Sequence, residues 1–231
     1  MFDLSTIRSA LLIAPHADDE ALGAGGLLAR LADAGCRSRV LFMAVDGFHH
    51  YGRDTETSLQ QRLDEIEAVS ELLGFESKVV YGGEDLIEKL DTLPQRDLVD
   101  CFEREIDELR PELVLLPHGE DYDQDHRACF QAGLAATRPI PVKLGKHLAK
   151  LVVTYEFPKL SWTLTQFRPS LYVDIASGID RKLESIRLYR SVLRCAPDVR
   201  SPEIARHLAT LRGSAIGAEY AEGFQILRCI V

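Results

Sequence analysis

The sequence predicts an α/β protein built on a largely parallel sheet with helices on both faces. Three observations carry this reading. Short apolar runs alternate with amphipathic stretches along the whole chain. Several of the runs are apolar without alternation, as strands covered on both faces are. Two of them stop abruptly in clusters of histidine and acid. Open α/β sheets bind their ligands beyond the carboxyl ends of the strands, so chemistry is expected at those two ends.

The first strand is expected at Ala10 to Ala14, around the run Leu11-Leu12-Ile13, and the next at Val40 to Val45, which is apolar throughout. Ala21 to Ala34, between them, reads as a helix. In the helix expected at Thr57 to Leu73, Leu59, Leu63, Ile66, Val69 and Leu73 recur at spacings of three and four and share one face; Gly74 ends it. A strand at Lys78 to Tyr81, a helix at Asp97 to Arg110, a strand at Leu113 to Leu116 and a helix at His126 to Ala136 continue the alternation. Strands then follow at Leu151 to Glu156 and Leu171 to Val173, helices at Asp180 to Leu193 and Pro202 to Leu211, and a last strand at Gln225 to Cys229. Ser201 is the expected cap of the second of those helices, with Pro202 at its first position. No linker, repeat or low-complexity segment interrupts the 231 residues, so residues 1–231 are expected to form one domain.

A hydrophobic fraction of 46% with 27% charged residues is ordinary for a soluble globular protein. The net charge of -9 argues against a nucleic-acid partner and favours a neutral or basic small substrate. Cys36, Cys101, Cys129, Cys195 and Cys229 are far apart and form no C-x-x-C pair, which suggests buried thiols in a reducing compartment. The N-terminus has no signal-like pattern, and no apolar run approaches the roughly 20 residues of a membrane span. The expected location is cytoplasmic, with no transmembrane segment. Monomer and homo-oligomer are both open.

Pro15-His16-Ala17-Asp18-Asp19-Glu20 follows the first strand. His16 and Asp19 can close on one ion from a tight turn, which leaves Asp18 free to handle a proton. The second cluster, His118-Gly119-Glu120-Asp121-Tyr122-Asp123-Gln124-Asp125-His126, follows another apolar run and brings His126 to the same level of the sheet. Together they offer the ligands of a catalytic zinc site, three protein groups and an open position for water. The plainer reading is that acids after a strand cap the next helix. Histidines and acids at two strand ends outweigh it.

These segments resemble the PIG-L or LmbE-like zinc-dependent N-deacetylases of amino sugars. The P-H-x-D-D-E motif of that family appears as Pro15-His16-Ala17-Asp18-Asp19-Glu20, followed by Gly23-Ala24-Gly25-Gly26. Its R-x-x-E helix resembles Arg62-Leu63-Asp64-Glu65, and its D-H motif resembles Asp125-His126. Its C-terminal block resembles Arg212-Gly213 and Tyr220-Ala221-Glu222-Gly223-Phe224. The resemblance runs from about Leu11 to Arg228 and implies a Rossmann-like, LmbE-like fold. It implies a hydrolase that removes an N-acetyl group from an amino sugar or glycoconjugate by attack of a zinc-activated water. Carried over by position, it makes His16, Asp19 and His126 the Zn2+ ligands and Asp18 the general base that later returns the proton to the leaving amine. Glu20 and Asp125 are candidates to orient the ligands from behind, or simply acids at helix starts.

One position departs from the family. Many members carry a histidine three residues before the last zinc histidine, where this chain has Asp123, and a carboxylate there opposes a developing oxyanion. A branch with the pattern D-x-N-x-D-H and a histidine further upstream is closer to this chain. His118 is therefore the candidate to stabilise the oxyanion as an imidazolium, against the alternative of a histidine bonding the loop backbone. Asp123 and Arg62 are assigned to the substrate side. Arg62 offers a planar fork to sugar hydroxyls or a phosphate, against an ion pair with Glu65 or Glu67. The loop Asp46 to Asp54, with His49, His50, Tyr51 and Arg53, is a candidate lid or a solvated stretch. The same branch often reads Y-E-x-P-S-S-T-x-W where this chain has Tyr155-Glu156-Phe157-Pro158-Lys159-Leu160-Ser161-Trp162. Trp162 either stacks on a sugar or covers the core edge.

Three rival classes compete. Gly23, Gly25 and Gly26 after a strand, with Asp46 about twenty residues on, suggest a dinucleotide-binding module. Its flaw is that Asp18, Asp19 and Glu20 stand where a pyrophosphate must bind, and Leu28 replaces the third glycine. A metal phosphoesterase needs more ligands than converge here for two ions. A non-catalytic zinc protein favours cysteines, which both clusters lack.

Overall fold

The computed structural model describes residues 6–49, 56–140, 144–163 and 165–230. In chain order the first half holds β1 (Ser9–Ala14), α1 (Asp19–Asp33), β2 (Arg37–Val45), β3 (Phe48–His49), β4 (Glu56–Thr57), α2 (Leu59–Leu73) and β5 (Glu76–Gly82). The second holds α3 (Gln95–Leu109), β6 (Leu113–Leu116), α4 (Gln124–Ala136), β7 (Leu151–Tyr155), β8 (Leu171–Asp174), α5 (Ile179–Leu188), α6 (Pro202–Ser214) and β9 (Ala221–Cys229). A seven-stranded sheet has the order β5-β2-β1-β6-β7-β9-β8. Its first five strands are mutually parallel, and β9 runs antiparallel to both β7 and β8.

The unalternating apolar runs are explained by burial on two faces. Leu12, Ala14, Val40 and Phe42 join the core under α1, α2, α5 and α6. Leu11, Ile13, Leu41 and Met43 point to the opposite core, under α3 and α4. From β1 the chain steps outward through β2 to β5, then returns to β6 on the other side of β1. The strand order therefore reverses between β1 and β6, and the crevice beyond their carboxyl ends is the natural ligand position of such a sheet. Both histidine and acid clusters open into it.

Local signals end most helices where the sequence places them. Ser58 caps α2 by accepting the Gln61 N–H (3.1 Å), and Gly74 closes it in the left-handed region at φ 73°. Ser201 caps α6 through the Ile204 N–H (3.2 Å). α1 is broken at Ala24, whose φ of -146° is not helical. The break is capped from far away: Glu222 accepts the N–H groups of Gly26 (2.9 Å) and Leu27 (2.8 Å) and pairs with Lys182 at 2.6 Å. Gly23 has to be small, because a Cβ there would lie 2.4 Å from the Tyr155 ring.

Several expectations need correction. β2 begins at Arg37 rather than Val40, because Arg39 is buried within the strand by Glu76, Glu105 and Glu108. α2 begins at Leu59, since Thr57 belongs to β4. α5 stops at Leu188, not Leu193: Tyr189 leaves the helix at ψ 60° with its ring fully buried. β9 starts four residues before Gln225, where it pairs with β8. The two-residue strands β3 and β4 form a hairpin that no periodicity announces. In the expected lid, His49 belongs to β3, whereas His50, Tyr51 and Arg53 lie outside the described residues. Cys36, Cys101 and Cys129 are buried, but Cys195 and Cys229 are exposed. No helix among the described residues is long and apolar enough to cross a membrane.

Candidate metal centre

The turn after β1 is closed by the His16 N–H, which donates to Asp19 Oδ2 at 2.8 Å. This sets the His16 ring beside the Asp19 carboxylate, with Nδ1 3.7 Å from Oδ2. From the other strand end, the first turn of α4 brings in His126, whose Nε2 lies 3.3 Å from Asp19 Oδ1. One ligand atom each from His16, Asp19 and His126 lies within 4.8 Å of the others. A second trio, His16, Asp123 and Asp125, is equally close. Its carboxylates are already engaged: Asp125 accepts the N–H groups of Glu88 (2.7 Å) and Leu90 (2.8 Å), and Asp123 caps α4 through the Asp125 N–H (3.0 Å).

Each histidine has a carboxylate behind it. His16 Nε2 is 2.8 Å from Asp125 Oδ2, and His126 Nδ1 is 3.1 Å from Asp121 Oδ2. Metal-ligating histidines are oriented in this way, with one ring nitrogen held by an acid so that the other faces the ion. The donor set of two imidazoles and one carboxylate also fits zinc. Burial works to raise the Asp19 pKa, but His126 and His16 overcome it and hold the carboxyl well below its usual range. Burial likewise opposes protonation of His126, but Asp19 and Asp121 lift it to about 9.

Asp18 stands apart from this trio. It occupies the cap position of α1 at φ 122°, ψ -19°, a conformation that costs a non-glycine residue of order 1–3 kcal/mol and tends to mark functional sites. Its carboxylate accepts from Arg200 Nε at 3.1 Å, and its N–H donates to Glu20 Oε2 at 3.3 Å. Burial raises the Asp18 pKa against the restraining charge of Arg200. Glu20, wholly buried, accepts the Tyr189 hydroxyl at 2.6 Å, and burial pushes it up to about 8.

Arg62 lies beneath the turn and not on an open surface. It is 3% exposed and donates to Glu65 (3.0 Å), Ser191 (2.7 Å) and the Ala17 carbonyl (2.5 Å). A fork committed to three buried acceptors is a clamp on the turn, so the expected substrate contact gives way to the Glu65 pair. Asp123 is likewise occupied, by its capping bond and by the ammonium of Lys159 at 3.2 Å. His118 takes no part in the hydrogen-bonded group around His16 and His126. It is buried, lies edge-on to Phe167, and burial lowers its pKa, which disfavours the imidazolium expected of it. Trp162 is 78% exposed and does not cover the core edge.

Sequence reading missed Lys159, Arg200, Tyr189 and Asp121. Lys159 is buried, with Nζ 3.3 Å from His126 Nε2 and 3.5 Å from Asp121 Oδ2. The one available signal was an isolated lysine in the segment that departs from the family pattern. The dinucleotide reading also fails on geometry. Asp46, which would have to meet a ribose, accepts the N–H groups of Asp85 (3.1 Å), Leu86 (2.9 Å) and Ile87 (3.4 Å).

Residues 11–137 match the family described as PIG-L: GlcNAc-PI de-N-acetylase. The chain is 24% identical, over 233 aligned positions, to the diacetylchitobiose deacetylase of Thermococcus kodakarensis, covering 96% of this chain and 84% of that one. The fold is shared with solved structures. N,N'-diacetylchitobiose deacetylase from Pyrococcus horikoshii matches with a TM-score of 0.70 at 22% identity, over 98% of this chain and 87% of that one. The 4-carboxy-2-hydroxymuconate hydratase from Pseudomonas putida matches with a TM-score of 0.75 at 20% identity, over 97% and 98%. One fold thus carries a deacetylase and a hydratase, so the fold alone does not name the reaction. The match over residues 11–137 spans more than half of the sequence and contains both clusters of the crevice, and by it the chain belongs to the PIG-L de-N-acetylase family.

Proposed function

We propose that the chain is a zinc-dependent hydrolase that removes the N-acetyl group of an amino sugar or glycoconjugate. The observation that carries this reading is the pair of histidines, each backed by a carboxylate, converging with Asp19 at the sheet crevice. His16, Asp19 and His126 would hold the metal, with Asp125 and Asp121 fixing the two rings. Zinc, when bound, lowers the pKa of a water to about 7 and polarises the amide carbonyl.

The rest falls to the chain. Asp18 takes the proton of the attacking water and passes it to the leaving amine, one group acting as base and then acid. Its raised pKa suits the second half of that exchange, and the Arg200 guanidinium favours the ionised form needed for the first. Glu20 and Arg62 hold the turn, one through the Asp18 N–H and the other through the Ala17 carbonyl. Lys159 resolves the departure at Asp123: its ammonium offsets that carboxylate, so the negative charge growing on the amide oxygen meets no net opposition.

Acetate release, measured across N-acetylated sugars and glycoconjugates with zinc added or chelated, tests the reading. Zinc-dependent release from at least one of them is expected. Chelation that leaves the rate unchanged removes the metal from the mechanism.

Two further outcomes are expected. Lys159→Met lowers kcat by about 10- to 100-fold with little change in KM, since charge compensation is needed most in the transition state. A rise in KM alone makes Lys159 a substrate contact. The second concerns pH. His126, held at about 9, carries a proton that a metal must displace. Proton and metal compete, so apparent affinity falls as pH drops below about 9, by about tenfold per unit for one displaced proton. Zinc titrations at several pH values, in buffers of differing ionisation enthalpy, read this directly; an affinity flat from pH 6 to 9 contradicts it.

A further inference from the structure

One loop away from the metal centre lies a cavity of about 590 Å³, within the roughly 300–1,000 Å³ of small-molecule sites. It opens where β6, β7 and β9 lie side by side, for Thr154 pairs with Leu116 on one neighbour and Gln225 on the other. His118, Thr154, Gln166 and Gln225 line it with Phe130 and Leu227 as its apolar wall, and the charged Glu120 and Arg168 also line it, both of them exposed.

Two of these groups are buried with their hydrogen-bonding capacity unspent. His118 is 8% exposed and neither ring nitrogen has a partner; Thr154 is 1% exposed and its hydroxyl has none. Buried polar groups in folded proteins are nearly always paired, because an unpaired one forfeits its hydration without return. Two on the wall of one cavity point to a ligand that engages both. Arg168 is exposed at the rim and forms no ion pair among the described residues.

The chemistry of the wall selects the ligand. Burial keeps His118 neutral, so it offers one donor and one acceptor. Thr154 and the two glutamine amides also donate and accept. An anion needs donors only, and a metal needs acceptors only. A mixed set beside an aromatic wall matches hydroxyl groups on a ring with an apolar face. The loop also ties the cavity to the centre: the Asp121 N–H donates to the His118 carbonyl at 3.4 Å, while the Asp121 side chain faces His126.

We propose that this cavity is a carbohydrate subsite, holding an uncharged sugar unit next to the one that carries the acetamide. The assignment rests on the deacetylase reading for its role, but not for its test. Binding of N,N'-diacetylchitobiose and of cellobiose, which bears no acetamide, is followed by saturation-transfer NMR and calorimetry on the zinc-loaded protein and on Thr154→Val and Arg168→Ala. Wild type is expected to bind at least one disaccharide, Thr154→Val to bind it at least about 10-fold more weakly, the cost of losing a buried hydrogen-bond partner, and Arg168→Ala, which removes an exposed rim contact, to weaken it by less. Thr154→Val should also melt at a higher temperature than wild type without sugar, because it deletes a buried hydroxyl that has no partner. A purely structural threonine gives the opposite shift. Wild-type affinity in both variants, or no disaccharide binding by wild type, overturns the subsite. Failure of acetate release with disaccharide binding intact overturns the deacetylase reading and leaves the subsite standing.

Discussion

Asp18→Asn is expected to retain bound zinc and to lose turnover by about 10²-fold or more, the scale on which a general base contributes. The separation of the two effects follows from geometry. Asp18 belongs to neither trio of convergent ligand atoms, and its carboxylate is turned to Arg200 at 3.1 Å. Asparagine keeps the shape and an oxygen for that guanidinium but cannot take a proton. Elemental analysis and steady-state kinetics on the same preparation decide it. Zinc lost in proportion to activity means that Asp18 and Asp19 have exchanged roles.

His126→Ala is expected to lose both metal and activity. The ring is 1% exposed and stands between Asp19 and Asp121, so its removal would delete a proposed ligand and leave two buried acids facing each other. Breaking a buried charged pair typically costs about 3–5 kcal/mol, so the variant should also unfold at lower denaturant concentration. His126→Gln, which refills the space with a polar group, separates the effects. It should recover part of the stability and still bind zinc at least about 100-fold more weakly, beyond the 10- to 100-fold loss typical of an orienting partner. Full zinc occupancy in the glutamine variant at limiting metal excludes His126 from the ligand set.

The parallel strands and the two clusters are legible in the sequence because their causes are local. Leu11 to Ile13 and Leu113 to Leu116 are apolar on both faces, and the proposed ligands follow in the turn just after β1 (His16, Asp19) and in the first turn of α4, the next helix after β6 (His126). What surrounds the ligands is less legible, because its causes are distant. Arg200 reaches Asp18 across 182 positions and Tyr189 reaches Glu20 across 169. No spacing rule links such pairs. Arg62 illustrates the converse. Its helix position is readable, but a guanidinium swallowed by Ser191 and the Ala17 carbonyl looks in sequence like any surface cation. Tyr189 misleads in another way, since its apolar ring extends the helical pattern of α5 while its backbone has already left the helix.

The long-range cap on α1 bears on how the protein comes into being. The proposed metal ligands all occur by His126, so a chain emerging from the ribosome has them well before Tyr189, Arg200 and Glu222 have been made. Until β9 docks, the Gly26 and Leu27 amides lack their Glu222 acceptor, and until the segment between α5 and α6 is in place Asp18 lacks the Arg200 guanidinium. On the proposed assignments, a nascent chain would carry its metal ligands before the groups that hold its base in place. On the proposed function, hydrolytic competence would follow ligand synthesis, because the groups that hold Asp18 and α1 come from Tyr189, Arg200 and Glu222, late in the chain.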